Sequence, residues 1–342
     1  MIKDNIAQLL ERKDLSKKEA YAAMKEIMEG QATPSQIAGF LVALRAKGET
    51  VDEIAGCALA MRDAARPLSI RAKTVVDNCG TGGDGRHSLN VSTAAAFVVA
   101  GAGFTVAKHG NRAISSKCGS ADVLEGLGVK VDSPIAIVEQ AINDNGIGFM
   151  FAPAFHPAMK HAMPTRRELG LRTVFNLLGP LTNPARANVQ LIGVYDPNLT
   201  VVVANVMKHM GHLAGLVVHS HGWDEITLEG PTHVSEVLGK KVKSYKLTHK
   251  DFGLPKVSTK NLAGGDAAQN AETLLKILEG HPHAARNVIV ANAAALIWIT
   301  ERAQGNAKLS LKDAVKKAEQ SIASGAALKK LKGLAEVSHL IE

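Results

Sequence analysis

Four glycines occupy six positions in Gly80-Thr81-Gly82-Gly83-Asp84-Gly85, directly after a β-branched run at 74–77. Glycine tolerates positive φ and lets backbone N–H groups turn toward a bound anion. Asn90-Val91-Ser92-Thr93 then opens an apolar helical stretch. Its unpaired N–H groups and positive end face the same place. Strand, glycine loop and helix start together suit a phosphate or pyrophosphate. The loop lacks both the GK[ST] of a Walker loop and the GxGxxG of dinucleotide binders. A plain tight turn needs fewer glycines and no flanking acids such as Asp77 and Asp84.

Two further clusters also follow apolar strands. Lys108-His109-Gly110-Asn111-Arg112 ends the second strand, where Lys108 offers a point charge to phosphate oxygens and Asn111 a hydrogen-bonding amide. The carboxyl ends of strands are where open α/β sheets hold ligands. The loop Ser115-Ser116-Lys117-Cys118-Gly119-Ser120 adds hydroxyls, with Ser120 either a phosphate contact or a helix N-cap. Asp224-Glu225, in His219-Ser220-His221-Gly222-Trp223-Asp224-Glu225, supplies hard oxygen ligands. Mg²⁺ commonly joins one or two carboxylates to substrate phosphates. His219 and His221 lack a third nitrogen ligand and read as loop residues. Cys118 has no paired base and does not read as a nucleophile.

These clusters need a scaffold. Ser16 with Glu19, Thr33 with Gln36 and Thr50 with Glu53 form three capping-box patterns, and Pro34 sits at a first helical position. Behind them run the stripes Ala20, Ala23, Met24, Ile27, Met28; Ile37, Phe40, Leu41, Leu44; and Ile54, Cys57, Ala58, Met61. The first seventy residues are therefore helical, and Cys57 belongs to their core. Strands are expected at 74–77, 105–108, 189–195 and 216–219. Helices are expected at 92–101, 120–126, 134–143, 199–210 and 284–303, and an antiparallel pair at 232–247. This alternation predicts an α/β fold with a mostly parallel central sheet, joined to a small all-helical N-terminal domain. The expected division is a helical domain at 1–70, joined by helices from about 165–185, and an anion-binding α/β domain at 73–342.

The 342 residues allow two domains, and 46% hydrophobic with 21% charged residues is ordinary for a globular chain. A net charge of +8 favours anionic partners. The lysines at 240–246 and 329–332 lack the stacking aromatics of a nucleic-acid platform. The longest uncharged stretch, 87–107, is too polar to span a membrane. Three cysteines without CxxC spacing and an N-terminus without a signal-peptide core point to the cytoplasm. Nucleic acid and membrane are not expected partners.

The motif series resembles the anthranilate phosphoribosyltransferase family over nearly the whole chain. It comprises Gly80-Thr81-Gly82-Gly83-Asp84, Asn90-Val91-Ser92-Thr93, Lys108-His109-Gly110-Asn111, Ser115-Ser116 with Gly119-Ser120-Ala121-Asp122, and Asp224-Glu225. It also includes Arg166-Arg167-Glu168-Leu169-Gly170-Leu171-Arg172-Thr173-Val174-Phe175-Asn176-Leu177-Leu178-Gly179-Pro180-Leu181-Thr182-Asn183-Pro184. The resemblance implies attack of anthranilate's amine on C1 of phosphoribosyl pyrophosphate, with pyrophosphate leaving, in tryptophan synthesis. It assigns Gly80, Thr81, Gly82, Gly83, Asp84, Ser88, Asn90, Val91, Ser92, Thr93, Lys108 and Ser120 to phosphoribosyl pyrophosphate. It assigns Gly80, His109, Asn111 and Arg166 to anthranilate, and Ser92, Asp224 and Glu225 to Mg²⁺. It implies a homodimer, with the helical domain as interface; the faces at 37–44 and 54–61 suit that or internal packing. The chain departs from the pattern at His87-Ser88-Leu89 and at Ser220-His221-Gly222-Trp223. Register alone leaves Arg166 and Arg167 both eligible for the anthranilate carboxylate.

The implied chemistry needs no covalent nucleophile. An aryl amine is weakly basic already, so placement, a bidentate arginine and stabilisation of the leaving pyrophosphate suffice. Pyrimidine nucleoside phosphorylases are the related alternative, but the 108–111 and 176–184 segments favour the transferase. A non-catalytic relative that binds nucleic acid would have no use for the full phosphate, metal and arginine set.

Overall fold

The computed structural model describes residues 1–82, 85–86, 88–113 and 117–340. Helix α1 (Ile2–Leu10) precedes three helices opened by the expected capping boxes: α2 (Lys17–Met28), α3 (Pro34–Lys47) and α4 (Val51–Asp63). In the first box the Glu19 N–H donates to Ser16 Oγ at 3.3 Å, and the Ser16 N–H donates back to the Glu19 carboxylate at 2.8 Å. Each such cap is worth about 1 kcal/mol, so the helix starts are set locally. The apolar stripes of α2, α3 and α4 meet in one core that also takes Phe175, Leu178 and Leu181. The faces at 37–44 and 54–61 are thus internal packing.

Among the described residues the seven strands are β1 (Val76–Gly80), β2 (Val106–Gly110), β3 (Ile147–Phe151), β4 (Val189–Gly193), β5 (Ala214–His219), β6 (Thr232–Leu238) and β7 (Lys241–Leu247). They lie in the order β3-β2-β1-β4-β5-β6-β7. The first five are parallel, and β6 and β7 form the expected antiparallel pair. Successive strand residues alternate between two cores. Leu191, Leu216 and Val218 pack on the side of helix α5 (Val91–Gly101) and helix Arg286–Ala303, whereas Ile192 and Val217 pack toward α4 and helix Leu199–His209. Both faces are covered, as a parallel sheet requires. Lys241, Lys243 and Lys246 are exposed on the free edge strand β7, where charge discourages edge-to-edge pairing.

The chain runs outward from β1 through β2 to β3, then returns to place β4 on the other side of β1. That reversal opens a crevice at the carboxyl ends of β1 and β4, the general ligand position in open α/β sheets. Several features depart from the expected elements, among them three helices, at 267–278, 311–323 and 326–338, that were not expected. Strand β1 reaches Gly80, so the glycine loop starts inside the sheet register. Strand β3 was not expected, and the helix expected at 134–143 ends at Gln140, followed by a π-helical turn at Ala141–Asn145. Helices Ala267–Leu278, Leu311–Ala323 and Ala326–Ser338 complete the α/β layer. No described helix is long and apolar enough to cross a membrane.

Candidate active site

The strand pair at the reversal ends on two facing glycines, Gly80 of β1 and Gly193 of β4. Asp224 fills the space their missing side chains leave. A Cβ on Gly80 would lie 2.1 Å from Oδ2 of Asp224, and one on Gly193 would lie 1.5 Å from the Asp224 carbonyl oxygen. Thr81 donates its N–H to the Gly193 carbonyl at 2.9 Å, turning the chain out of the sheet. Gly82 follows with φ +66°, the left-handed region glycine adopts freely, and donates its N–H to Asp224 Oδ2 at 2.9 Å. The glycine loop and the acid pair are therefore one structure. Of the expected loop residues, Gly83 and Asp84 lie outside the described residues, as do His87, Ser115 and Ser116.

The acid pair is held from behind. Ser220 and Trp223 exchange backbone hydrogen bonds across a tight turn. Ser220 Oγ pairs with Thr232 Oγ1 at 2.7 Å and accepts the Thr227 N–H at 3.2 Å. Asn292, buried in the otherwise apolar helix Arg286–Ala303, accepts the Ile226 N–H and donates to the Ile226 carbonyl, fixing the residue after Glu225. His219 uses both ring nitrogens, on the Val194 carbonyl and the Gly222 N–H, as a loop-building residue does. Among the described residues no three His, Cys, Asp or Glu side chains cluster as a metal site. Arg86 extends from the glycine loop to the same turn, 5.7 Å from the Trp223 ring centre and donating to the His221 carbonyl.

Helix α5 is preceded by its N-cap residue Asn90, whose side chain donates to the Cys118 carbonyl and accepts from Asn270. Ser92 offers its carbonyl to Asn78 Nδ2 at 2.7 Å. Thr93 is fully buried, and its hydroxyl has no hydrogen-bond partner among the described residues. Lys108 lies beneath the loop, 3% exposed, with Nζ donating to the Asn78 carbonyl at 2.7 Å. Burial lowers its pKa, against the pull of the nearby Asp77 carboxylate. Ser120 donates to the Asn111 carbonyl, and Gly119 rather than Ser120 caps the helix. Arg112 is spent on Asp122 and Glu125. Burial raises the thiol pKa of Cys79 and Cys118, which suits neither to nucleophilic work.

On the far side of β2 two imidazoles face each other, His109 and His156, with ring centres 5.1 Å apart. Each is buried, and each Nε2 lacks a partner among the described residues. Burial pushes their pKa values down, to about 3 for His109 and about 4 for His156, so both rings are neutral acceptors at working pH. The Gly179 carbonyl, which partly offsets that shift at His109, belongs to the helix Phe175–Leu181. Over Phe175, the first residue of that helix, lies the guanidinium of Arg166 from helix Met163–Leu169, 4.6 Å from the ring centre. Arg166 is half-buried, whereas Arg167 is exposed. Asn111 is exposed just beyond β2.

Sequence reasoning did not reach Gly193, Asn292 or His156. An asparagine inside an apolar helix was a usable signal for Asn292. The other two depend on partners far along the chain.

Residues 3–65 match a family described as glycosyl transferase family, helical bundle domain, and residues 72–328 match the glycosyl transferase family, a/b domain. The chain is 50% identical over 335 residues to the anthranilate phosphoribosyltransferase of Moorella thermoacetica, covering 98% of this chain and 97% of that one. It is 51% identical over 334 residues to the enzyme of the same name from Anaeromyxobacter dehalogenans, covering 98% of each. Among solved structures, anthranilate phosphoribosyltransferase from Thermus thermophilus superposes with a TM-score of 0.92 at 42% identity, covering 98% of this chain and all of that one. The Saccharomyces cerevisiae enzyme in complex with PRPP and Mg superposes with a TM-score of 0.87 at 29% identity, covering 98% and 97%.

Proposed function

The chain belongs to the anthranilate phosphoribosyltransferase family of glycosyl transferases, and from that premise we infer that it transfers the phosphoribosyl group of phosphoribosyl pyrophosphate to the amine of anthranilate. The products are N-(5-phosphoribosyl)anthranilate and pyrophosphate, in tryptophan biosynthesis. The observation that carries the reading is the junction of glycine loop and acid pair, where the Gly82 N–H already holds a carboxylate oxygen. A leaving pyrophosphate is a second anion suited to the same donors.

The nitrogen lone pair forms the new bond to C1 as the bond to the pyrophosphate oxygen breaks, and the nitrogen then sheds a proton. Gly80, Thr81, Gly82, Gly83 and Asp84, with Ser88, Asn90, Val91, Ser92, Thr93, Lys108 and Ser120, make up the phosphoribosyl pyrophosphate half. The buried Thr93 hydroxyl and Lys108 ammonium supply donors there. Arg166 takes the anthranilate carboxylate. Its stacking on Phe175 holds the guanidinium fork in place, whereas Arg167 is exposed. Asn111 and the neutral Nε2 acceptors of His109 and His156 suit an aryl amine's N–H groups. No residue acts as covalent nucleophile.

Asp224 and Glu225, together with Ser92 as the family resemblance implies, fit Mg²⁺. Two hard carboxylates beside a phosphate loop are the donor set of an ion that keeps most of its ligands as water and substrate oxygen. When bound, Mg²⁺ would neutralise charge on the leaving pyrophosphate. A homodimer through the helical domain is supported by Leu10, 71% exposed, and Val42, 42% exposed, which remain uncovered once the internal stripes have packed. An odd count of three cysteines without CxxC spacing supports a cytoplasmic setting. The test is loss of anthranilate fluorescence on mixing the protein with phosphoribosyl pyrophosphate and Mg²⁺. Turnover that stops on chelation supports the reading, and no turnover at any Mg²⁺ level overturns it.

A further inference from the structure

Asp77 lies three residues before Gly80 on β1, is fully buried, and has no place in the chemistry described above. Four donors converge on its carboxylate. The His109 N–H donates to Oδ1 at 3.3 Å. Asn183 Nδ2 donates to Oδ2 at 2.8 Å, Gln190 Nε2 to the same oxygen at 3.3 Å, and the Cys79 thiol at 3.7 Å. The two amides do not end there. Asn183 Nδ2 also donates to the Ala107 carbonyl, and Gln190 Nε2 to the Pro180 carbonyl, both within 2.9 Å.

One carboxylate thus joins the three segments that build the two halves of the site. Strand β1 runs from it into the glycine loop. Strand β2 is pinned at His109, two residues before Asn111. The 180–183 turn is pinned through Asn183 and Gln190, at the end of the helix that carries Gly179 and Phe175. Only an acceptor-only group satisfies four donors at once, and an amide in its place would set N–H against N–H. Lys108 lies close enough to offset part of the cost of burying the charge.

We propose that Asp77 is a positioning residue for the transfer, its carboxylate setting the spacing between the pyrophosphate-holding loop and the acceptor-holding wall. The inference rests on the transferase reading. Asp77 is not itself one of the binding groups of either half, although it supports the charge on Lys108, so its carboxylate acts first on the approach of amine to C1 and less on either substrate's affinity. An error of about 1 Å in such an approach costs on the order of 100-fold in rate.

The experiment compares steady-state kinetics of wild type, Asp77→Asn and Glu236→Gln, well below their melting temperatures. Glu236 is a buried carboxylate bonded to Tyr245 and Arg302, away from the site, and controls for loss of stability alone. Asp77→Asn is expected to lower kcat about 100-fold with both KM values within about threefold. Glu236→Gln is expected to melt earlier yet keep kcat within about twofold. Gln190→Met, which removes one donor, the Pro180 link and the contact with His212, is expected to lower kcat about tenfold with the same KM pattern. That variant decides the matter if Asp77→Asn shows no cooperative melt. A folded Asp77→Asn or Gln190→Met enzyme with unchanged kcat, or a loss carried by KM, overturns the role of Asp77 alone. An inactive wild type overturns the transferase reading and takes this inference with it.

Discussion

The carboxylate of Asp224 accepts the backbone N–H of Gly82 at 2.9 Å, joining two segments 142 residues apart in the chain. The contact exists because Gly80 and Gly193 carry no side chains where β1 and β4 end. It brings a hard carboxylate against the amide donors of an anion loop. A cation held by Asp224 and an anion held by the loop would therefore touch each other.

Asp224→Asn tests that arrangement. The amide oxygen can still accept from Gly82, so the loop contact survives while the charge is lost. The Mg²⁺ concentration for half-maximal activity is expected to rise roughly tenfold or more, equivalent to about 1.4 kcal/mol of binding. Thermal stability should change little. An unchanged Mg²⁺ titration would remove Asp224 from the metal arm.

Gly193→Ala tests the slot itself. The new methyl meets main chain, the Asp224 carbonyl, which cannot rotate aside as a flexible side chain can. Activity is expected to fall on the order of 100-fold through misplacement of the acid pair, with a lower melting temperature. Gly179→Ala is the stability contrast, since a Cβ there meets nothing within 4 Å. Its melting temperature should hold or rise. Equal behaviour of the two variants in thermal melts would contradict the packing described.

The two neighbouring arginines should separate kinetically. Arg166→Ala is expected to raise the KM for anthranilate roughly 30-fold, about 2 kcal/mol for a lost charged hydrogen-bonded pair. Arg166→Lys should fall between, keeping charge but losing the planar fork. Arg167→Ala should stay within about twofold, as expected of an exposed charge. A reversed order would move the carboxylate site to Arg167.

Three buried histidines make a pH prediction. Burial lowers His109 to about 3 and both His156 and His212 to about 4, from an ordinary 6.5. Above pH 6.5 all three are neutral folded or unfolded, and they favour neither state. Below it the unfolded chain binds protons that the native rings refuse. Stability is therefore fully present above pH 6.5 and is lost as pH falls through about 4, by up to roughly 1.4 kcal/mol per group per pH unit. Urea unfolding at about pH 7 and about pH 5 reads this directly. Stability that holds flat or rises over that interval would contradict the burial.

Local chemistry was legible in the sequence and distant pairing was not. The Ser16–Glu19, Thr33–Gln36 and Thr50–Glu53 boxes bond within three residues, so their residue types announce them. The glycine loop and Asp224-Glu225 announced themselves by composition, but their direct contact depends on Gly193, a glycine unremarkable within its strand. Asp77 and Asn183 pair across 106 residues, and Asn292 and Ile226 across 66. No spacing rule spans such gaps. Strand β3 escaped notice because Ile147, Phe149 and Met150 are all buried and leave no polar alternation to read. The same continuity of apolar residues in α5, where every residue from Thr93 to Ala100 is buried, was readable only because its length demanded a helix.

The central claim is a transfer in which one bond to C1 forms as another breaks. Its most direct measurement follows pyrophosphate release and N-(5-phosphoribosyl)anthranilate formation together, by phosphorus NMR, with and without anthranilate. Equal amounts of the two products are expected, and no pyrophosphate when anthranilate is left out. Pyrophosphate released without anthranilate, or anthranilate left unconsumed while pyrophosphate accumulates, would contradict it.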